Sequence, residues 1–364
     1  MKKRIEKVQS YLKDQHIDLA FITNPDNVFY FSGFRSNPHE RLLGIAIFQD
    51  MDPFIICPKM EIPDAKASGW PFDVIGHGDT DQPWNILANE IQSRTKNIST
   101  IAIEKEHLTV DRYESLQSCI QDASFVSIDE QMNQLRVIKD ADELEKLRQA
   151  AALADYAIDV GVKAIKEGIT ELEIVQIIES AIKEKGYSMS FETTVLSGPK
   201  AASPHGTPGN RKIQKGDFVL FDLGVIYEGY CSDITRTVAF GEITEEQRKI
   251  YETVKRSNEQ SIKAVKPGVR CMDLDRISRD IISQEGYGEY YTHRLGHGLG
   301  ISIHEFPSVT GTNELELKPG MVFTIEPGIY KTGVAGVRIE DDVVVTENGV
   351  EVLTKYPKEL IILQ

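Results

Sequence analysis

The chain has 364 residues, which predicts two domains of ordinary size. Its formal net charge of −15 at pH 7 argues against a nucleic-acid partner, because phosphate backbones attract basic surfaces. No apolar run approaches the roughly 18 residues of a membrane span. The four cysteines show neither CxxC spacing nor a disulfide framework. We therefore predict a globular, cytoplasmic protein with no membrane partner.

Residues 1–130 alternate between helical and strand patterns, which predicts an α/β domain with helices covering a mixed sheet. No glycine-rich phosphate loop follows a strand, so no nucleotide site is predicted. The predicted helices cover residues 2–15, 62–69, 84–94 and 111–120, and the predicted strands cover residues 18–23, 42–48, 53–57 and 101–104.

Residues 131–364 form the second predicted domain, which begins with a long helix over residues 140–166. The pattern of residues 166–187 returns at 266–287, and that of residues 215–222 returns at 319–326. Two matches in the same order predict a duplicated helix-and-strand unit. The second domain should therefore have a pseudo-twofold internal repeat.

Each repeat contains a predicted hairpin with two acidic residues. A turn centred near residues 227–228 would place Asp222 opposite Asp233, and a turn centred at residue 333 would place Glu326 opposite Glu340. Opposed residues on paired strands point to the same face of a sheet. If the sheet curves around the pseudo-twofold axis, the four carboxylates converge.

Converging carboxylates need a cation, because two like charges at ~4 Å repel by about 4 kcal/mol at an effective dielectric near 20. The stretch YTHRLGHGLGISIH over residues 291–304 supplies imidazoles, of which His297 completes an oxygen-rich ligand set. Such a set suits Mn²⁺, Co²⁺ or Zn²⁺. Five ligands are enough for two ions about 3.5–4 Å apart, which together activate a water for hydrolysis. We expect the glycines of this stretch to let a peptide backbone approach the ions.

The same residues resemble a known family. The motifs FDLG at Asp222, SDITRT at Asp233, HGLG at His297, TIEPG at Glu326 and VRIED at Glu340 are similar to the five-ligand signature of the pita-bread metallopeptidases. The N-terminal domain resembles that of the branch containing prolidase (Xaa-Pro dipeptidase), aminopeptidase P and creatinase. The resemblance implies an α+β pita-bread fold and two divalent ions, with Mn²⁺ expected and Co²⁺ or Zn²⁺ as alternatives.

Further roles follow from the resemblance. It implies that His205 is a catalytic histidine near the substrate and that His304 steadies the scissile carbonyl or its oxyanion. It implies that Glu326 also passes a proton to the leaving nitrogen. His293 matches a third histidine of the substrate pocket. Two further residues match groups that line or support the pocket in aminopeptidase P: Tyr330 and Arg338.

The polar loop over residues 33–41 has two interpretations. It is a solvated turn, or it resembles the loop of bacterial prolidases that covers a neighbouring subunit's active site and would contact substrate through His39 and Arg41. Archaeal prolidases have an arginine where this chain has Ser308. We therefore expect Arg41 to bind the substrate carboxylate, with Arg35 as the second choice.

These observations predict a homodimeric Xaa-Pro dipeptidase that uses a water activated by two metal ions. The main alternative is an Xaa-Pro aminopeptidase that acts on longer peptides. A metal-free creatinase-like enzyme and a metal-free binding protein remain as further alternatives, although the complete set of five ligands disfavours both.

Overall fold

The computed structural model describes residues 1–95 and 97–364, which divide into the compact units Met1–Leu135 and Arg136–Gln364. The helices and strands of the first unit are α1 (Lys2–Asp14), β1 (Leu19–Ile22), α2 (Pro25–Ser32), β2 (Gly44–Phe48), β3 (Phe54–Pro58), α3 (Ile62–Ala67), β4 (Asp73–His77), α4 (Pro83–Arg94), β5 (Thr100–Ile103), α5 (Val110–Cys119), β6 (Ser124–Ser127) and α6 (Asp129–Arg136).

The strands of the first unit form one mixed sheet in the order β4-β3-β2-β1-β5-β6. Its central strand β1 pairs antiparallel with β2 and parallel with β5. The predicted α/β architecture is confirmed. Four elements were not predicted, namely α2, β4, β6 and α6. The helix α2 is buried on most sides and lacks an amphipathic period, and the short strand β4 has an exposed first residue. The strand β6 has an exposed serine at each end.

The second unit contains long helices and short strands. They are α7 (Ala141–Ala164), α8 (Glu171–Glu184), β7 (Ser188–Met189), β8 (Thr194–Ser197), β9 (Asp217–Leu223), β10 (Val225–Tyr227), β11 (Tyr230–Cys231), β12 (Ile234–Phe240), α9 (Glu245–Ala264), α10 (Cys271–Gln284), β13 (Gly296–Gly298), β14 (Glu305–Val309), β15 (Val322–Ile325), β16 (Gly328–Lys331), β17 (Ala335–Arg338), β18 (Asp341–Val345), β19 (Val350–Val352) and β20 (Ile362–Leu363).

The internal repeat is visible in these elements. The helices α7 and α9 end at Ala164 and Ala264, and each is followed four residues later by a glycine with φ near +82°, Gly168 and Gly268. The pairs α7–α8 and α9–α10 pack on separate sheets, ordered β20-β12-β9-β8 and β14-β13-β15-β18-β19. The predicted duplicated α+β architecture is confirmed. Within the described residues, no helix is both long enough and apolar enough to cross a membrane.

Candidate metal centre and active-site cavity

The first hairpin brings Asp222 and Asp233 to one face, although not directly opposite one another. The register of β9 and β12 pairs Asp222 with Thr235. The predicted opposition of the two aspartates is therefore wrong by two residues, because the turn lies at Glu228–Gly229, where both residues have positive φ. Residues two apart on a strand share a face. Asp233 consequently lines the same cavity as Asp222.

The second hairpin has the predicted register. Ile325 pairs with Asp341, and Gly328 pairs with Arg338, so that Glu326 lies opposite Glu340. The two glutamates occupy an interruption between the paired strands. There the amide N–H of Glu326 donates to the carbonyl of Leu295 (2.9 Å), and that of Glu340 donates to the carbonyl of Thr235 (3.0 Å). Both backbones therefore turn away from each other at the positions that present their carboxylates to the cavity.

Three buried side chains form the tightest group of possible metal ligands. One ligand atom each from Asp233, His297 and Glu340 lies within 4.8 Å of the others. The Nδ1 atom of His297 lies 3.1 Å from the carbonyl oxygen of Gly298, so Nδ1 carries the proton. Its Nε2 lone pair then faces Glu326 Oε1 at 3.3 Å and Asp233 Oδ2 at 3.7 Å. Burial lowers the pKa of His297 to about 3, which keeps the imidazole neutral.

The carboxyl groups of this cluster lack the charge compensation that burial requires. Burial and the neighbouring acids raise the pKa values of Asp233 and Glu340 well above their usual range. Burial raises the pKa of Glu326 to about 7. Among the residues that the structure describes, none hydrogen-bonds to the buried Oδ1 of Asp233. An oxygen-rich donor set with an unpartnered buried oxygen fits a divalent cation.

Asp222 differs from the other acids because a resident cation faces it. The buried guanidinium of Arg338 donates through Nη2 to Asp222 Oδ2 and through Nε to Thr235 Oγ1 at 3.0 Å. Its Nη1 donates to the hydroxyl of Tyr330 at 2.8 Å. Arg338 lines the cavity, but its donors are already engaged by protein groups. The geometry favours a supporting role for this arginine over a direct role in binding substrate.

Tyr330 and His293 extend this chain of hydrogen bonds. The Nδ1 atom of His293 lies 2.8 Å from the carbonyl oxygen of Arg294, so Nδ1 is the protonated nitrogen. The hydroxyl of Tyr330 then donates to Nε2 at 2.9 Å. Burial and the charge of Arg338 lower the pKa of His293 to about 4. The hydroxyl of Tyr330 and Nε2 of His293 are therefore already hydrogen-bonded to each other. A substrate that contacts either residue, as predicted, would have to compete with this bond.

The cavity beside the cluster has a volume of about 560 Å³. His205 and His304 line it together with the carboxylates. The residue His304 is exposed, and its ring meets that of His297 edge-on, with centroids 4.1 Å apart. Partial desolvation and the charge of Arg294 lower the pKa of His304, so its imidazole is neutral near pH 7. The neutral imidazoles of His293, His297 and His304 thus line the cavity next to the acids.

Arg294 is the cavity residue that the sequence analysis missed. It lies between His293 and His297 in the chain, and its Nη1 donates to Ser308 Oγ at 3.2 Å. Ser308 is the position at which the family resemblance suggested an arginine. The sequence could have identified Arg294, because this arginine lies within the histidine-rich stretch, and residues of that stretch line the same cavity. The guanidinium is therefore present, supplied by a residue two positions before β13.

The loop residues chosen from the sequence lie in the first unit and have partners there. Arg41 donates through Nε to Asp79 Oδ1 at 2.8 Å, and its Nη1 lies 3.3 Å from Glu40. Arg35 packs over the ring of Phe29. His39 has a φ of 55° in the same loop. A role of His39, Arg41 or Arg35 in substrate binding stays a prediction.

Two glycines of the histidine-rich stretch, Gly296 and Gly298, lie where a side chain would collide with neighbouring backbone. A Cβ atom at Gly296 would lie 1.9 Å from the carbonyl oxygen of Thr324, and one at Gly298 would lie 2.3 Å from that of Phe306. These glycines therefore allow close contact between β13 and its neighbours. Both glycines thus allow β13 to place His297 between two neighbouring strands. This close packing explains why residues 296 and 298 are glycines without any contact to a peptide substrate.

Comparisons with known proteins agree with this geometry. Residues 145–347 match metallopeptidase family M24, and residues 4–138 match the creatinase/prolidase N-terminal domain. YkvY of Bacillus subtilis is 51% identical over 99% of both chains. The structure of an Xaa-Pro dipeptidase from Bacillus anthracis is 34% identical, covers 100% of this chain and 99% of its own, and has a TM-score of 0.93.

An X-Pro aminopeptidase from Thermotoga maritima is also 34% identical, with a TM-score of 0.87 over 96% of this chain and 98% of its own. The predicted pita-bread fold and the prolidase and aminopeptidase P branch are confirmed. The chain belongs to metallopeptidase family M24 and carries a creatinase/prolidase-type N-terminal domain, and it is therefore a hydrolase of peptide bonds.

Proposed function

We propose that this enzyme is an Xaa-Pro dipeptidase with two divalent ions, Mn²⁺ by preference and Co²⁺ or Zn²⁺ as alternatives. The proposed ligands are Asp222, Asp233, His297, Glu326 and Glu340. The observation that carries the proposal is the unpartnered, buried Oδ1 of Asp233 beside the Nε2 lone pair of a neutral His297, which faces two carboxyl groups. When bound, such ions supply Lewis-acid activation of the scissile carbonyl and a nucleophilic water.

The chain's own residues provide the proton transfers and the oxyanion contact. Glu326 lines the cavity with its carboxylate beside His297, and we assign to it the transfer of a proton to the leaving nitrogen. His304 is neutral and exposed to the cavity, and it can donate a hydrogen bond to the carbonyl oxygen as negative charge develops there. His205 lies on the same cavity wall and is our second candidate for this contact.

Arg294 is our preferred residue for the substrate carboxylate. Its guanidinium is the cavity cation that does not bond a carboxylate in the described structure, whereas Arg338 bonds Asp222. A guanidinium binds a carboxylate with two parallel hydrogen bonds. A carboxylate held beside the metal ligands would favour substrates that end one residue after the scissile bond. This argument supports a dipeptidase over an enzyme for longer peptides.

The decisive experiment compares an Xaa-Pro dipeptide with the matching Xaa-Pro-Yaa tripeptide. The protein is stripped of metal and reconstituted with Mn²⁺ or Co²⁺ before the assay. We expect higher kcat/KM for the dipeptide, and a loss of that preference in Arg294→Ala. A preference for the tripeptide that Arg294→Ala leaves unchanged would favour the alternative, an Xaa-Pro aminopeptidase, which the similarity to the Thermotoga maritima structure keeps open.

Metal analysis separates both enzymes from the metal-free alternatives. We expect Mn²⁺ to bind and to restore activity. A protein that binds no metal and gains no activity with Mn²⁺ would support a creatinase-like enzyme or a binding protein instead. A homodimer and a cytoplasmic location complete the proposal. Light scattering of the purified protein tests the first, and the four free cysteines are compatible with the second.

A further inference from the structure

The two glutamates of the second hairpin lie where its strands are not paired with each other. The register runs from Ile325↔Asp341 to Gly328↔Arg338, and Glu326–Pro327 faces Ile339–Glu340 between these pairs. One backbone hydrogen bond crosses this gap, from the N–H of Ile339 to the carbonyl oxygen of Pro327 at 3.4 Å, and Pro327 has no N–H to donate back. The N–H groups of both glutamates bond outside the hairpin, so the spacing of the two strands at the glutamates also depends on groups outside it.

Asn258 on α9 supplies a bridge across this gap. Its Nδ2 donates to the carbonyl oxygen of Ile325 at 3.0 Å and to that of Ile339 at 3.2 Å. These are the residues immediately before Glu326 and Glu340. The Asn258 side chain is fully buried, and both amide hydrogens are used. A single side chain thus ties together the two backbone segments that present the glutamates.

Lys358 fixes the orientation of this amide. Its Nζ donates to Asn258 Oδ1 at 2.9 Å and pairs with Asp341 Oδ2 at 2.7 Å. An ammonium group can only donate, so the Asn258 oxygen faces Lys358 and the nitrogen faces the strands. The Asn258 amide group is therefore fixed in one of its two possible orientations.

The other half of the internal repeat provides a comparison within the molecule. The position 100 residues before Asn258 is Ile158, which packs in an apolar core. There β9 and β12 pair without interruption through Asp222↔Thr235 and Leu223↔Ile234. A buried amide costs free energy unless it is fully hydrogen-bonded. The amide thus occurs in the half where the ladder is interrupted, and an apolar residue occurs where the ladder is continuous.

We propose that Asn258 is a positioning residue of the metal centre, which sets the separation of Glu326 and Glu340. This inference rests on the proposed metal-binding function. Outer groups that orient metal ligands typically contribute tenfold to a hundredfold in affinity. Asn258 acts on the backbone before each glutamate, so its loss should weaken metal binding and change the arrangement of bound ions without touching either carboxylate.

The test compares Asn258→Leu and Asn258→Asp with a control on the same helix. Leucine removes the amide, and aspartate keeps the volume and the Lys358 contact but cannot donate to the carbonyls when ionised. The control is Ser257→Ala, which removes a buried bond from Ser257 Oγ to Ser278 that does not involve the hairpin. Each protein is freed of metal, and its unfolding midpoint is recorded.

Mn²⁺ affinity is then measured by titration calorimetry, and the spin coupling of the bound ions by electron paramagnetic resonance. We expect at least roughly tenfold weaker Mn²⁺ binding and altered coupling in both Asn258 variants, with neither change in Ser257→Ala. If Asn258→Leu does not fold, Asn258→Asp carries the comparison.

The possible failures are distinguishable. If the wild-type protein binds no Mn²⁺, the proposed function itself is wrong. If the wild type binds Mn²⁺ and the Asn258 variants match its affinity and its coupling, only the positioning role is overturned. A loss of affinity in Ser257→Ala equal to that in the Asn258 variants would also overturn it, because general destabilisation would then explain the effect.

Discussion

The metal-free protein should lose stability as the pH rises from 6.5 to 8. Burial and the neighbouring acids raise the pKa values of Asp233 and Glu340, so these carboxyls keep their protons to higher pH in the folded state than in the unfolded state. A group with a raised folded pKa stabilises the fold fully only below its unfolded pKa, and it loses that contribution as the pH rises toward the folded value. Each retained proton changes stability by about 1.4 kcal/mol per pH unit. One such carboxyl therefore lowers stability by at most about 2 kcal/mol over this window.

The histidines have the opposite sign but act at lower pH. His293 and His297, with folded pKa values of about 4 and about 3, are neutral in the folded state and protonate on unfolding below pH 6.5. Their effect raises stability as the pH climbs to about 6.5 and is constant above it. The window from 6.5 to 8 consequently isolates the carboxyl groups. Glu326, with a pKa of about 7, adds to the decline across the lower part of this window.

Urea unfolding of chelator-treated protein at several pH values measures this slope. Mn²⁺ should reverse it, because the ions bind deprotonated ligands and their affinity rises with pH. At a free concentration of 100 times Kd, binding adds about 2.7 kcal/mol. Glu340→Gln, which has no proton to lose, should flatten the metal-free slope. A free energy of unfolding that stays constant or rises from pH 6.5 to 8 without metal would refute the claim that the buried carboxyl groups have raised pKa values.

Three substitutions test other parts of the site. Arg294→Ala should raise KM for an Xaa-Pro dipeptide by roughly tenfold to a hundredfold, because a charged hydrogen bond of about 1.5–3 kcal/mol is lost. An Xaa-Pro amide lacks the carboxylate, so its KM should show little change. Tyr330→Phe should destabilise the protein by about 1–3 kcal/mol in urea unfolding, because Arg338 and His293 each lose a buried partner; equal stability would contradict the hydrogen-bonded chain. Gly298→Ala should prevent normal folding, seen as lost near-ultraviolet circular dichroism, since its Cβ would meet backbone; a native spectrum would contradict the close contact.

Motifs and repeats made much of the site predictable from the sequence. The predicted helix and strand ends in residues 1–130 agree with the structure to within two residues, because the apolar periods there are strong. The second hairpin register followed from a turn at Gly333, which has positive φ. The first failed because Glu228 adopts positive φ, a conformation that the residue type does not suggest.

Long-range partners were not predictable in the same way. Asn258 is a polar residue on an amphipathic helix, a pattern that indicates a solvent-facing position, yet it is fully buried against two carbonyl groups. Likewise, the sequence gives no sign that Tyr330 and Arg338 bond each other, since both residue types are common in substrate pockets. Such contacts depend on the spacing between elements, which propensity and periodicity do not determine.

The guanidinium of Arg338 beside Asp222 has a consequence for the order of assembly. It places one permanent positive charge among the acids before any ion arrives, and the raised pKa values of Asp233 and Glu340 favour their neutral forms. The metal-free chain can thus fold with reduced negative charge at this site. Metal binding then displaces protons, so the apparent metal affinity should increase in more alkaline solution.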